Sequence, residues 1–396
     1  MNGKKFVPPL FKVSDIKPYC VRLPSLEITN FRCFEHLVID KLGMVNLIVG
    51  KNSVGKTSLL EGLWLLASGA SWPVLHSMLY ERNELVRYNQ PAKRVQQDQI
   101  EAVKSFFARP PEKSQSASFR IGGKDAGILE PRFPIDVVDS DGNSSEYPPS
   151  EDATDAKQPV IEFELRHDNL ICIKGFPNPG FVVEPEWPDL PNKNDLLNDV
   201  IAKSMDDRVV FIPVKGLSWK AQARYWDMAV VFKYKNKSIL DCLHTLIPDI
   251  EEYFFRGDNI QDSVRFPSVN VERFSSGIPL AKLGEGAQRI LALALAMSAA
   301  SGGYLLIDEL ETGLHYSVQA DVWREVFKLA KEWDIQVFAT THSWDCVEAF
   351  QEAAAENEDE ARLISLEKAQ DGTAIEAKSY NKSLMKAVVE QGIEVR

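Results

Sequence analysis

Apolar and polar positions set out an order of elements before any motif is considered. Residues 1–20, with Pro8, Pro9 and Pro18, read as an irregular N-terminal arm, so the folded part starts near Val21. Leu26-Glu27-Ile28-Thr29 alternates, the pattern of a half-buried strand. From Met44 to Val49 the chain is apolar without a break and short enough for a buried strand. Glycine-rich residues follow, and Ser58 to Ala67 is rich in leucine and helical in pattern. Strand, loop and helix are therefore expected in that order.

Residues 71 to about 205 are the least regular third. Helical periodicity is present from Val95 to Phe107, and strands are expected at Ala117–Ile121, Val160–Leu165 and Leu170–Ile173. Asp139 to Pro159 is acidic and rich in Ser, Pro and Asp, which reads as a solvated hairpin tip or a partly disordered loop, and Pro177 to Pro191 is a second proline-rich connection. Order resumes with a buried-strand pattern at Arg208–Pro213, an aromatic-rich helix from Ser218 to Val231 and another helix near Ile239–Ile247. Val269–Phe274 and Ile278–Ala281 flank Ser275-Ser276-Gly277 as a hairpin.

The last 115 residues alternate regularly: helix Gly286–Ala300, strand Tyr304–Ile307, helix Tyr316–Trp333, strand Ile335–Thr340, helix Trp344–Ala355. Strands separated by helices of this length predict a parallel sheet covered on both faces. Leu363 to Tyr380, around Asp371-Gly372, reads as one more hairpin. No internal repeat or heptad run is present, which excludes solenoids and long coiled coils.

Composition narrows the classes. With 396 residues, 44% hydrophobic and 26% charged, the chain is neither disordered nor fibrous, and its length allows two or three domains or one with insertions. Five scattered cysteines, without a C-x-x-C, suggest neither a disulfide framework nor a zinc knuckle and suit a reducing cytoplasm. No stretch has the length and apolarity of a membrane span or a signal peptide, so neither membrane insertion nor export is expected. The net charge of −12 argues against a surface that coats nucleic acid. About ten of those excess negatives lie in the last quarter, so the N-terminal half is the surface that could face DNA.

Gly50-Lys51-Asn52-Ser53-Val54-Gly55-Lys56-Thr57 fits G-x-x-x-x-G-K-[ST] between a buried strand and a helix, the context that gives this phosphate-binding loop its meaning. Its glycines let the N–H groups from Asn52 to Lys56 point at phosphate oxygens, and the helix N-terminus, running on into Ser58, adds its dipole. Lys56 would reach the β and γ phosphates, and Thr57 would offer its hydroxyl to Mg²⁺. The strand Tyr304–Ile307 ends in Asp308-Glu309. Asp308 would hold Mg²⁺ through water, and Glu309 would orient or deprotonate the attacking water. After the next strand comes Thr341-His342-Ser343, which lets His342 hydrogen-bond the γ-phosphate and that water.

Together these residues resemble the ABC-type ATPase heads of the RecF, SMC and Rad50 group, and most closely the OLD-like or AAA15-type ATPases of bacteria. Leu26 to Phe34 is similar to the family's N-F-R segment, Ile307 to His315 to its Walker B and D-loop run, and Leu283 to Arg289 lies where its signature motif belongs. The resemblance implies an α/β fold: an ABC-type (P-loop) ATPase head with a mixed N-terminal β lobe, a parallel RecA-like core and a long insertion. It implies ATP and Mg²⁺ as cofactors, Arg32 as a nucleotide contact, and Gly284 and Gly286 as signature residues that meet the γ-phosphate held by a second copy. A homodimer or higher homo-oligomer through ATP follows. Gly284 departs from the pattern, standing where many relatives have serine, and no residue, neither Gln90 nor Gln96, is assigned as the Q-loop glutamine.

The phosphate loop near residue 50 and the carboxylates near 308 must meet in one site. The expected organisation is therefore an arm over 1–20 and a single head over 21–396. Within the head, 71–205 is an irregular insertion, 206–265 a mostly helical subdomain, and 266–396 the signature, Walker B and H-loop lobe with its C-terminal hairpin. OLD nucleases carry a metal-binding Toprim domain after the ATPase, for which the 54 residues after His342 are too few. The expected role is therefore control of a separately encoded effector, a Toprim-like nuclease or a toxin, in bacterial anti-phage defence. A RecF-like DNA repair ATPase and an ATP-gated scaffold with little need for hydrolysis are the alternatives.

Overall fold

The computed structural model describes residues 22–68, 72–82, 84, 105–108, 117–123, 128–129, 132–133, 137–138, 144–145, 161–167, 170–176, 209–245, 247–257, 265–357, 360–369 and 374–390. Strands β1 (Leu26–Phe31) and β2 (Phe34–Ile39) form an antiparallel hairpin. Strand β3 (Val45–Gly50) then leads through the phosphate loop into helix α1 (Lys56–Ala67), followed by α2 (Trp72–Glu81). β4 (Arg120–Gly122) pairs with β1 and extends the hairpin into a small sheet. Beyond the inserted region come β5 (Val209–Ile212), α3 (Trp219–Val230) and α4 (Lys233–His244). A second antiparallel sheet contains β6 (Ile250–Gly257), β7 (Arg265–Val271) and β8 (Ile278–Pro279). The chain closes with α5 (Glu285–Ala299), β9 (Tyr304–Ile307), α6 (Tyr316–Glu332), β10 (Gln336–Thr340), α7 (Trp344–Ala354), β11 (Ala361–Lys368), β12 (Ile375–Tyr380) and α8 (Lys382–Glu390).

The central sheet runs β5-β9-β10-β3-β11-β12, parallel throughout except for the last pair. β3 comes from the first eighth of the sequence and lies between two strands from its last sixth, so the sheet sews both ends of the chain together. The inner strands read as near-continuous apolar runs, Tyr304–Ile307 most clearly, because both faces are covered, while the edge strand β12 alternates polar and apolar. On one face, Val45, Leu47, Val49, Leu305, Ile307, Val337 and Ala339 pack with α3 to α7. On the other, Ile48, Tyr304, Leu306 and Phe338 pack with α1, α2 and the β1–β2–β4 sheet. The helices start on side-chain caps where the sequence supplies them. Ser218 accepts from the Ala221 N–H at 3.2 Å, and Ser343 accepts from the Cys346 N–H at 3.4 Å.

Most sequence-based elements of the core recur within a residue or two, but α4 starts six residues before its expected Ile239 and β7 lies at Arg265–Val271 rather than Val269–Phe274. Within 206–265, α3 and α4 supply the expected helices, and the stretch also contains the unforeseen strand β6. Its buried positions Ile250, Tyr253 and Phe255 break strict alternation because the register slips between Ile250 and Glu252, and a bulge of that kind hides a strand from a period-two reading. The hairpin expected over Leu363–Tyr380 forms as β11 and β12, and β11 in addition joins β3 in the main sheet, with α8 following β12. Of the helical periodicity at Val95–Phe107, residues 95–104 lie outside the described residues, and 105–108 form a turn rather than a helix. Most of the acidic loop 139–159 and all of the connection 177–191 likewise lie outside the described residues. The strands expected at Val160–Leu165 and Leu170–Ile173 appear as Ile161–His167 and Leu170–Phe176, and they pair antiparallel.

Candidate nucleotide site at the strand ends

Parallel strands β3, β9 and β10 end side by side, and each delivers one part of the site at its C-terminal edge, the place where open α/β sheets put ligand chemistry. From β3 the backbone turns through Lys51, Asn52 and Ser53, all exposed, to Val54, which is buried and anchors the loop in the core. Gly55 then caps α1 at φ 91°, in the left-handed region. A Cβ at Gly55 would stand 2.4 Å from Cys33 Sγ and 2.7 Å from Phe34 Cζ, so the β1–β2 turn presses directly on the loop.

Lys56 Nζ donates to the carbonyls of Gly50 (2.6 Å) and Lys51 (3.2 Å), spanning the loop it belongs to. Burial pushes its ammonium down, opposed by the attraction of Asp308, Glu309 and Glu311. Thr57 Oγ1 donates to Asp308 Oδ2 at 2.9 Å, across 251 positions of sequence. Ser58 is buried, and its hydroxyl accepts from Arg82 at 3.2 Å.

The carboxylate strand is pinned by Thr340, a fully buried hydroxyl the motif reading passed over. It donates to Asp308 Oδ1 at 2.6 Å and accepts from the Glu309 N–H at 2.9 Å. Glu309 itself takes φ 51°, a left-handed conformation that costs a non-glycine residue about 1–2 kcal/mol; backbone strain of this kind clusters at functional sites. Its carboxylate accepts from Thr312 Oγ1 at 3.3 Å and lies 3.4 Å from His342 Nδ1. Glu311 is the second residue passed over. Buried, it accepts from the His342 backbone N–H at 3.0 Å, and its Oε1 lies 3.2 Å from Nδ1 of the same residue. The structure thus brings Lys56, Thr57, Asp308, Glu309 and His342 to one edge. The only sequence sign of Thr340 and Glu311 is their place beside the recognised motifs.

Gly284 precedes α5 at φ 100° and ψ 171°, with nothing within 4 Å of a Cβ built on it. Its backbone, rather than crowding, explains the departure from serine: the angle favours glycine. Gly284 is exposed and Gly286 half-buried in the first turn of α5, whose leading N–H groups have no intrahelical acceptor.

Arg32 stands differently from its expected role as a nucleotide contact. Its guanidinium is buried, 3.2 Å from Glu61 and 2.9 Å from Glu84, bonded to Ser105 Oγ at 2.9 Å and stacked 4.6 Å from the centre of the Phe106 ring. Two carboxylates in a dry pocket supply the charge that a phosphate would otherwise supply. Here Arg32 ties α1 to the start of the inserted region.

The donor set at the strand ends suits a nucleotide with its cation. Thr57 and Asp308 offer hard oxygens in contact with each other, of the kind Mg²⁺ prefers, and phosphate and water would complete the shell. A P-loop with a strand-end Asp-Glu pair and a neighbouring His, on a parallel sheet with an added antiparallel lobe, has the fold of an ABC-type P-loop ATPase head.

Comparison with known proteins agrees. The profile of the AAA ATPase domain matches residues 22–179. A second AAA profile, whose description names the AbiEii toxin and a type IV toxin–antitoxin system, matches 217–345. An ATP/GTP phosphatase of Helicobacter pylori is 22% identical over 344 residues, spanning 85% of this chain and 89% of that protein. The RecF DNA replication and repair protein of Clostridioides difficile is 38% identical over 69 residues, 17% of each chain. Among solved structures, an SMC head bound to the C-winged helix domain of ScpA superposes with a TM-score of 0.51 at 12% identity, covering 92% of this chain and 99% of that one. No helix among the described residues is long and apolar enough to cross a membrane.

Proposed function

We propose that this chain hydrolyses ATP with Mg²⁺ and closes head to head on a second copy around the nucleotide. The carrying observation is the hydrogen-bonded line from Thr57 through Asp308 to Thr340, which joins the phosphate loop to the carboxylate strand in one site. Lys56 binds the β and γ phosphates. Glu309, held by Thr340 and Thr312, orients the attacking water and takes its proton, while His342, steered by Glu311, hydrogen-bonds the γ-phosphate and that water. Mg²⁺, when bound beside Thr57 and Asp308, would neutralise charge on the transferred phosphoryl group. Gly284 and Gly286 would present α5's first-turn N–H groups to the γ-phosphate of the second copy.

Lys56→Ala is expected to abolish ATP binding, and Glu309→Gln to keep binding while turnover falls by about a hundredfold or more. A shared site makes specific activity drop on dilution. Activity per chain that is constant into the nanomolar range, or turnover indifferent to Glu309→Gln, would sink the reading. The biological role we infer is control of a separately encoded effector, a nuclease or toxin, in anti-phage defence, and the toxin–antitoxin description attached to the 217–345 match supports it. Co-purification with the products of neighbouring genes tests this role. ATP-dependent retention on gapped duplex, weakening steeply with salt, would instead favour DNA repair.

A further inference from the structure

Helix α5 does more than open on the signature segment. One turn in, Arg289 reaches across to the carboxylate strand and donates Nη2 to the carbonyl of Glu309 at 3.1 Å and to that of Asp308 at 3.5 Å. Its Nη1 stands 3.3 Å from the position a Cβ on Gly216 would take, so the guanidinium is wedged between the loop after β5 and the end of β9. Burial lowers its pKa, and Glu311, Glu285, Asp308 and Glu309 oppose that by attraction. Glu285 lies four residues earlier, on the same face of α5. Its carboxylate sits 3.2 Å from where a Cβ on Gly313 would be, so the same face also meets the D-loop.

The carbonyl that Arg289 holds belongs to the residue whose backbone is left-handed, Glu309 at φ 51°. A conformation of that cost persists only when its surroundings over-determine it. Thr340 fixes the N–H side of Glu309 and Arg289 the carbonyl side, so the Glu309 peptide is gripped from β10 and from α5 at once.

We infer that Arg289 is a positioning residue that sets the aim of Glu309 and ties it to the signature helix, so that seating α5 on the nucleotide of a second copy adjusts the catalytic carboxylate in its own site. The inference rests on the function proposed above and adds a path from one nucleotide to the other. Arginine suits the task because its planar fork serves two carbonyls, which a lysine ammonium does with less geometric control.

The test uses Arg289→Gln and Arg289→Lys in the full chain, with kcat, ATP affinity by equilibrium binding, melting temperature, and hydrogen exchange of the 308–314 amides in nucleotide-free protein. Arg289→Gln is expected to lower kcat by about ten- to a hundredfold, the scale of a small misplacement of a catalytic group. ATP affinity stays within about twofold, the scale of a change that spares ground-state binding. Arg289→Lys falls between Arg289→Gln and the parent. Adding Arg289→Gln to Glu309→Gln costs no further rate, because both remove the same contribution. Exchange at 308–314 rises in Arg289→Gln whether or not the chain turns over ATP. Unchanged exchange, losses that multiply with Glu309→Gln, or a defect confined to affinity or folded fraction would each overturn the inference. If the parent chain shows no Glu309-dependent hydrolysis, the proposed function fails, and the exchange result alone decides the role of Arg289.

Discussion

Gly55 and Gly284 occupy the two motif positions where backbone angle matters most, and they differ in what surrounds them. Both have positive φ, 91° and 100°, but a methyl on Gly55 would strike Cys33 and Phe34, while one on Gly284 would meet open space. Gly284→Ala should therefore cost only the strain of an extended positive-φ backbone that is essentially glycine's, about 1–3 kcal/mol. Gly55→Ala adds overpacking worth about 1–3 kcal/mol and pushes the loop off the β1–β2 turn. Thermal melting should rank Gly55→Ala below Gly284→Ala, with ATP binding lost only in the former. Equal melting temperatures would show that the turn does not brace the loop. The G-x-x-x-x-G-K-T pattern announces a glycine at 55 from sequence alone, because the motif is local. The reason for glycine at 284 is not legible there, since it lies in a torsion set by the join between a 3₁₀ turn and α5.

Among the elements, α1 shows how a helix can be legible and still carry an unreadable contact. Its leucines mark it as buried, yet Glu61, also buried, is held 3.2 Å from Arg32 and 2.6 Å from Arg82. Nothing in the spacing of Glu61 reveals partners from the β1–β2 turn and from the end of α2. Glu61→Ala leaves Arg32 with Glu84 and Ser105 but removes one of its two carboxylates and the partner of Arg82, and should destabilise the fold by about 1–3 kcal/mol, the cost of unpairing buried polar groups. Urea denaturation measures this. A loss under about 1 kcal/mol, the worth of an exposed pair, would mean that water reaches Arg32. β6 makes the complementary case: the bulge near Ile250 destroys the alternation that β1 keeps, so a strand with a regular partner goes unread.

At the scale of the whole molecule, the phosphate loop depends on the tail. β11 pairs with β3 from Ala361–Val45 through Leu366–Gly50, so the strand that launches the loop is flanked on one side by residues more than 310 positions away. A chain ending before Ala361 would expose that edge and the apolar face under it, an invitation to aggregation. Such a truncation should be insoluble or fail to bind ATP, and a soluble, ATP-binding product would show that β11 is dispensable. The sequence by itself determined the phosphate loop, the Asp308-Glu309 strand end, His342 and the alternation of strands and helices, because each is written in a short window with its own periodicity or spacing. Tertiary structure alone decided that β11 borders β3, that Arg32 is spent on Glu61 and Glu84, that Thr340 and Arg289 close around Glu309, and that Glu311 holds His342. Those choices rest on hydrogen bonds and ion pairs between distant segments, and such partners leave no local pattern to read.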